Sequence, residues 1–420
     1  MPNSLSNLTR TSRVRARASA FLVVSSIFIA SSSCFPDLTR LDAAATLFTS
    51  VSSGFAYTCG LTPTGTAYCW TLQDGRPLDV STGLAFKTVN TRTDHTCGIV
   101  SDGSAYCWGR NLTGQLGVDS TTGYCQIPGS TVSVACSTYP LRVSGNLAFQ
   151  TVEVGTSHTC GLTTAGEAFC WGNNTAGRLG ATTSTLCAAE LVVGGFPCSP
   201  VPVRVDGGLV FETLSVGAAH TCGLVANGDA YCWGLGSWGR LGDGNTDNRT
   251  APVKVAGNIQ FDAIDAGGAH TCGIANGGEL YCWGSNTDMQ IGTQESDTSA
   301  VCGGSLYRCI LTPRRVHPNL SFVEVTVSDG VNFSATGERV GGHTCGRTQN
   351  AVYCWGLNEQ GQLKHSNQLR TAEAVEIKTG EEFVSLSAGN YHTCGLTVQQ
   401  RIECWPFGSP WEFWYVPTEG

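Results

Sequence analysis

Residues 95–109 read HTCGIVSDGSAYCWG, which brings a histidine, two cysteines and a tryptophan into one short stretch. The stretch recurs as HTCGLTTAGEAFCWG from His158, HTCGLVANGDAYCWG from His220 and HTCGIANGGELYCWG from His270. Such residues admit three chemistries: zinc ligation, a Cys–His nucleophile and base, or a disulfide. Structural zinc sites use tight pairs about two to four residues apart, or His and Cys placed to converge. Here His and the first Cys flank a single Thr and share a strand face, the second Cys could join them, and a fourth ligand is missing. A catalytic His needs its own partner set, whereas His95, His158, His220, His270, His343 and His392 have near-identical neighbours. Cysteines on either side of a Gly-containing turn fall on neighbouring strands, where opposed Cα atoms lie about 4.5–5.5 Å apart and a disulfide can form. The spacing therefore favours disulfides, with no metal, no cofactor and no catalytic residue. Each His is expected to hydrogen-bond the backbone or a Thr within its own unit.

The elements that hold these residues are repeats. Seven units carry the pairs Cys59/Cys69, Cys97/Cys107, Cys160/Cys170, Cys222/Cys232, Cys272/Cys282, Cys345/Cys354 and Cys394/Cys404. A Phe opens each unit, at Phe48, Phe86, Phe149, Phe211, Phe261, Phe322 and Phe383. One unit reads as four strands in the order APVKV (251–255), IQFDAIDA, HTCGIA and ELYCWG, with apolar residues alternating at period two. In AYCWG, Ala and Cys point to one face and Tyr and Trp to the other, so each sheet must be covered on both sides. Stacking sheets around a ring does that. The expectation is an all-β fold, a seven-bladed β-propeller of four-stranded blades spanning residues 45–420. Six units are preceded by a strand such as PLRV, PVRV, PVKV or PRRV, and the first has no clear equivalent. The C-terminal WEFWYV (411–416) is the spare candidate, expected to pair into the blade of residues 45–72 and close the ring.

Composition bounds the compartment. The chain has 21 Cys, 53 Gly and 13% charged residues, which suits a turn-rich β protein in an oxidising environment. Residues 1–33 read as an export signal, with Arg10, Arg13, Arg15 and Arg17 ahead of the apolar run ASAFLVVSSIFIA. SSSC, ending at Cys34, resembles a bacterial lipoprotein cleavage site, with Ser31 where Leu is usual; ordinary signal-peptidase cleavage in the Ser run is the alternative. Residues 34–44 form a linker. Without the leader the charge is 20 − 32 = −12, a poor surface for nucleic acid or anionic lipid. Membrane contact is expected only through a lipid on Cys34, and the protein is read as a monomer of the cell envelope or secreted.

The units differ in their links. From the Gly of the tail to the Pro of the next strand, the gap is 10 residues after the fourth unit but 23, 22 and 21 after the second, third and fifth. The long gaps each carry a Cys pair: Cys125/Cys136, Cys187/Cys198 and Cys302/Cys309. Ten bridges use 20 Cys and leave Cys34. These insertions, 118–139, 181–199 and 293–312, gather with 329–342 of the sixth unit on one face if strands alternate up and down. Tyr124, Leu191, Val192, Phe196, Tyr307 and Arg308 would furnish that face, with the aromatic, aliphatic and Arg character of an interface for a protein or glycan. Surface loops also tolerate insertions without any function.

The pattern G-x-x-H-T-C-G-[LI], then Y-C-W-G-x-N-x-x-G-[QR]-L-G, resembles the repeat of the regulator of chromosome condensation family; GRNLTGQLG (109–117) and GNNTAGRLG (172–180) fit it. The first and last units depart, with Tyr57 in place of His and Glu403 in place of the aromatic. The resemblance implies a seven-bladed propeller. It also implies binding functions: nucleotide exchange on a small GTPase for the founding nuclear members, enzyme inhibition through a disc face for one bacterial member. Export, disulfides and negative charge argue against the nuclear role. The plant relative's light-sensing Trp clusters are absent. A propeller hydrolase or lyase would need acids or His converging at the central channel, and Asp94, Asp262 and Asp265 stand singly in the sequence. The expectation is a non-catalytic binding protein.

Overall fold

Period-two strands with bulk on both faces and Gly at every turn can satisfy their backbone only in small sheets packed face to face. The computed structural model shows seven such sheets in a ring. It describes residues 46–405 apart from 56, 72–76, 120–122, 127–132, 190–191, 296–301, 303–307, 331–340, 365–367 and 379. Blade four is typical: Phe211–Val216, His220–Val225, Ala230–Gly234 and Arg249–Lys254 pair antiparallel in that spatial order, from the channel outward. Among the described residues no helix is long and apolar enough to cross a membrane.

In every blade the two motif cysteines face each other across the middle hairpin and are bonded. Cys59 joins Cys69, Cys97 joins Cys107, Cys160 joins Cys170 and Cys222 joins Cys232 in blades one to four. Cys272 joins Cys282, Cys345 joins Cys354 and Cys394 joins Cys404 in blades five to seven. Two details of the expectation are corrected here. The paired Cα atoms lie 4.0–4.1 Å apart, inside the separation expected of opposed residues, because two short side chains on directly facing positions must draw the strands together to meet. Cys282, Cys354 and Cys404 all share this close approach. In blade six the turn is one residue shorter, so Cys354 follows Cys345 by nine residues where the other six pairs are separated by ten, yet the two stay in register.

The glycine after each first Cys is needed for packing. A Cβ on Gly161 would lie 2.5 Å from the Phe149 ring, which covers it. The core is divided among the blade interfaces: Cys97 and Cys107 of blade two pack with Phe149 and Trp171 of blade three, and Cys160 and Cys170 with Phe211 and Trp233 of blade four. Cys354 of blade six packs likewise with Phe383 and Trp405 of blade seven, and Cys404 of blade seven with Phe48 of blade one. The motif thus offers a disulfide to one neighbour and a tryptophan to the other.

Three larger expectations also need correction. The Pro-Val strand ends a blade rather than opening one: Val253 sits opposite Cys232 and Lys254 opposite Tyr231, in the preceding unit. Arg314 does the same opposite Cys282, and Val375 opposite Cys354. The free edge beyond each Cys-Trp strand accepts it, while the next unit's Phe strand is already committed to the channel. Blade one accordingly has an outer strand of its own, Leu78–Asp79, with Leu78 opposite Cys69. The position assigned to the C-terminal strand is therefore filled, and residues 411–416 lie outside the described residues. Blade seven is the one with three strands among the described residues, ending at Ile402–Trp405, which carries Cys404.

The third of these concerns the histidines. Each bonds a threonine in the next blade, not its own. His95 Nε2 meets Thr159 Oγ1 at 2.8 Å, and the series continues His158–Thr221, His220–Thr271, His270–Thr344 and His343–Thr393. His392 completes it on Thr58 at 3.0 Å, across the seam between blades seven and one. Tyr57, standing in the His position of blade one, supplies the remaining link through its hydroxyl to His95 O and Thr96 Oγ1. Seven inter-blade links thus run unbroken around the disc. Tyr57→Phe should lower stability by about 1 kcal/mol, the usual worth of a part-buried hydrogen bond, without altering the fold. Denaturant midpoints of the two proteins check this; coincident curves would show that the link carries no weight.

Candidate functional site

Antiparallel pairing puts the first-to-second and third-to-fourth strand links of every blade at the same end, so the insertions rise from one face. Two of them are ordered hairpins, not loose loops. Gly123–Gln126 pairs with Ser133–Arg142 on blade two, and Leu186–Ala189 with Val192–Arg204 on blade three, making both sheets five-stranded. Disulfides Cys125–Cys136, Cys187–Cys198 and Cys302–Cys309 pin the three long links. Tyr124, Leu186 and Tyr139 stand 75%, 62% and 55% exposed on these hairpins. Phe196 is half-buried. Arg308 is exposed and donates to Gln294 O. Val192 lies in its strand, and Leu191 and Tyr307 lie outside the described residues. No sequence signal marks Tyr139 or Leu186, since each adjoins a scaffold residue, Pro140 of the outer strand and the bonded Cys187.

A second constellation was missed entirely. The first strands of all seven blades line one axial chamber of about 340 Å³. The residue opposite each first Cys is polar in every blade: Ser52, Asn90, Glu153, Ser215, Asp265, Thr326 and Ser387. Several of these tie neighbouring blades together. Ser52, Ser215, Asp265 and Thr326 accept from the backbone N–H of Thr91, Ala266, Val327 and Ala388 respectively, and Ser387 accepts from Ser53 N across the seam.

The chamber is stoppered at the insertion end. Arg92, in the turn after the first strand of blade two, crosses the axis to the far wall. Its Nε lies 2.8 Å from Asp329 Oδ1, Nη2 donates to Ala266 O at 2.9 Å, and Nη1 donates to Val216 O. One side chain therefore joins blade two to blades four, five and six. Asp329, fully buried, opens the insertion of blade six and also accepts from Thr93 and Thr156. Below this stopper, burial first and the nearby Asp265 second push Glu153 up to about 8; Asn90 donates to it. Burial also raises Asp265, against the pull of Arg92, Val327 N–H and Ser215.

Two carboxyls in one cavity is part of what an acid–base enzyme requires. No histidine lines it among the described residues, and His317 packs on Trp355 instead, with ring centroids 4.5 Å apart. Burial holds five histidines neutral: His158 and His220 far below the usual value, His270 and His343 at about 3, His392 at about 4. Thr159 gives its single hydroxyl proton to Gln115 O, so His95 Nε2 donates to Thr159 Oγ1.

The regulator of chromosome condensation (RCC1) repeat profile matches residues 102–162, 227–274 and 349–396, and a second RCC1 repeat profile matches 149–178, 211–239 and 261–290. The chain belongs to the RCC1-like repeat family. It is 25% identical over 283 residues to the ultraviolet-B receptor UVR8 of Arabidopsis thaliana, covering 64% of this chain and 56% of UVR8. A stretch of 142 residues, 34% of this chain, is 28% identical to 2% of mouse E3 ubiquitin-protein ligase HERC2. The chain thus spans only part of these relatives. Among solved structures, Prp20p of Saccharomyces cerevisiae superposes with TM-score 0.64 at 18% identity, covering 84% of this chain and 82% of Prp20p. Human WBSCR16 does so with TM-score 0.63 at 15% identity, covering 86% and 87%. These likenesses concern the fold. This RCC1-like propeller carries ten disulfides, three of them in the insertions.

Proposed function

We propose that this RCC1-like propeller is an exported, non-catalytic binding protein whose insertion face engages a partner protein. The observation that carries the reading is the set of exposed Tyr124, Tyr139 and Leu186 on two hairpins pinned by disulfides. Aromatic anchors on pre-ordered strands lose little entropy on binding, which is how a small surface becomes a specific one. Protein binding is in keeping with relatives: the Prp20p structure is described with its binding to Gsp1p and histones, and yeast RCC1 has been solved bound to Kap60. The ten disulfides suit an oxidising compartment. They use 20 of the 21 cysteines and leave Cys34, which lies outside the described residues, for a lipid anchor.

Affinity capture from envelope extract tests the reading. The intact protein should retain a partner that versions lacking residues 121–138 or 183–199 lose, and Tyr124→Ala should weaken retention by at least about tenfold, as truncating an interface anchor does. Capture of a glycan in place of a protein, or equal capture by every version, would defeat the proposal. The mass of the processed N-terminus decides separately whether Cys34 carries acyl chains.

A further inference from the structure

We propose that the axial chamber is a binding site for a primary ammonium group, held by Glu153 and Asp265. The chamber is walled by all seven first strands and closed at the insertion end by Arg92. Its volume of about 340 Å³ lies within the range of small-ligand sites. The guanidinium of Arg92 is spent on Asp329 and the carbonyls of Val216 and Ala266. Among the described residues no cation forms an ion pair with Glu153 or Asp265; Arg92 pulls on both from the stopper, but its own bonds go to Asp329 and the two carbonyls. The lining Ser53 is 4% exposed, and its Oγ has no hydrogen-bond partner among the described residues. Two carboxyls and an unused hydroxyl are acceptors in excess of donors, which is what an ammonium group with its three N–H bonds requires.

The alternatives fit less well. No group of three or more His, Cys, Asp or Glu among the described residues is placed to hold a metal ion. A neutral polyol would bring no positive charge to the pair of acids, and an anion would meet two of them. The ligand is therefore a slim aliphatic amine, entering from the face opposite the insertions because Arg92 blocks the other end. It could be a free diamine or the lysine side chain of a partner. Binding converts Glu153 to its carboxylate, because an adjacent cation favours the charged form, so one proton is released and affinity rises with pH toward and past about 8. This site is separate from the hairpin face and stands whether or not that face binds a protein.

Isothermal titration of the full oxidised chain with putrescine, Nα-acetyl-lysine amide and 1,4-butanediol tests the proposal. One molecule of amine per chain should bind, several-fold more tightly at about pH 8.5 than at about pH 6.5, while butanediol, isosteric and uncharged, should not. Glu153→Gln and Asp265→Asn should each weaken binding at least about tenfold, with circular dichroism and melting unchanged or improved to show that the variants fold. Binding of the lysine amide alone would identify the source as a partner's side chain; putrescine binding would identify a free amine. Absence of saturable heat up to about 10 mM amine, equal binding of butanediol, or wild-type affinity in both variants would overturn it.

Discussion

Acidification from about pH 7 to about pH 4.5 should lower the melting temperature of the oxidised propeller by about 10 °C. The cause is the belt of buried histidines. His158, His220, His270, His343 and His392 all have folded-state values below the ordinary 6.5, with burial as the leading cause. Above 6.5 both folded and unfolded chains leave them neutral, and stability does not depend on them. As pH falls, the unfolded chain takes up protons that the folded chain refuses, until the folded-state values are reached, about 3 for His270 and His343 and about 4 for His392. Each histidine then contributes a loss of about 1.4 kcal/mol per pH unit within that window. Glu153 acts in the opposite sense. Its value is raised to about 8, so between 8 and 4.5 the folded chain holds a proton that the unfolded chain has released, and stability grows as pH falls. One such group, joined by Asp265, which burial also raises, offsets part of the effect of five. Thermal scans across the range measure the net slope. His220→Gln should flatten it by about one proton, and a melting temperature independent of pH would refute the account.

Removing Arg92 should be the most damaging single change outside the interface cores. Arg92→Met leaves the carboxylate of Asp329, fully buried, without its cation and strands two carbonyls, of Val216 and Ala266, that it now satisfies. Losing one partner of a buried pair costs about 3–5 kcal/mol, because the remaining charge cannot reach water. The double variant Arg92→Met with Asp329→Asn should recover a large part of that loss, since neither charge then stays buried. Urea unfolding of the wild type, the single variant and the double variant checks both statements. A single variant as stable as the wild type would mean that the stopper is not a strut.

Much of this architecture was readable because it is written seven times. The Cys, Phe and Trp positions identified the blade, its hairpin and the disulfides, since a residue type repeated at one register position must meet the same neighbour each time. What periodicity does not say is which edge a strand joins. The Pro-Val strand lies between two units, and only the vacant outer edge of the preceding Cys-Trp strand decides its place. Nor does it separate a partner in the same unit from one in the next, which is why the His–Thr pairing was placed inside a blade when it spans two. The channel ring was hidden because its members differ in type. A positional signal existed nonetheless: Ser52, Asn90, Glu153, Ser215, Asp265, Thr326 and Ser387 each follow their unit's Phe by four residues, and all are polar. Arg92 carried no such signal. Its role depends on reaching across the axis to three other blades, a relation that no local pattern encodes.

The sulfur bridges described here span seven to eleven residues, and none of them joins two blades. Each can be oxidised as soon as its own hairpin has been synthesised, so the chain can mature from its N-terminus without shuffling among distant thiols. The circle itself obeys a different clock. Its last clasp, His392 to Thr58 and Gln400 to Phe48, has no covalent component and awaits the final blade. Assembly therefore ends with a non-covalent snap, and the same joint is the place where the finished bracelet would first come undone.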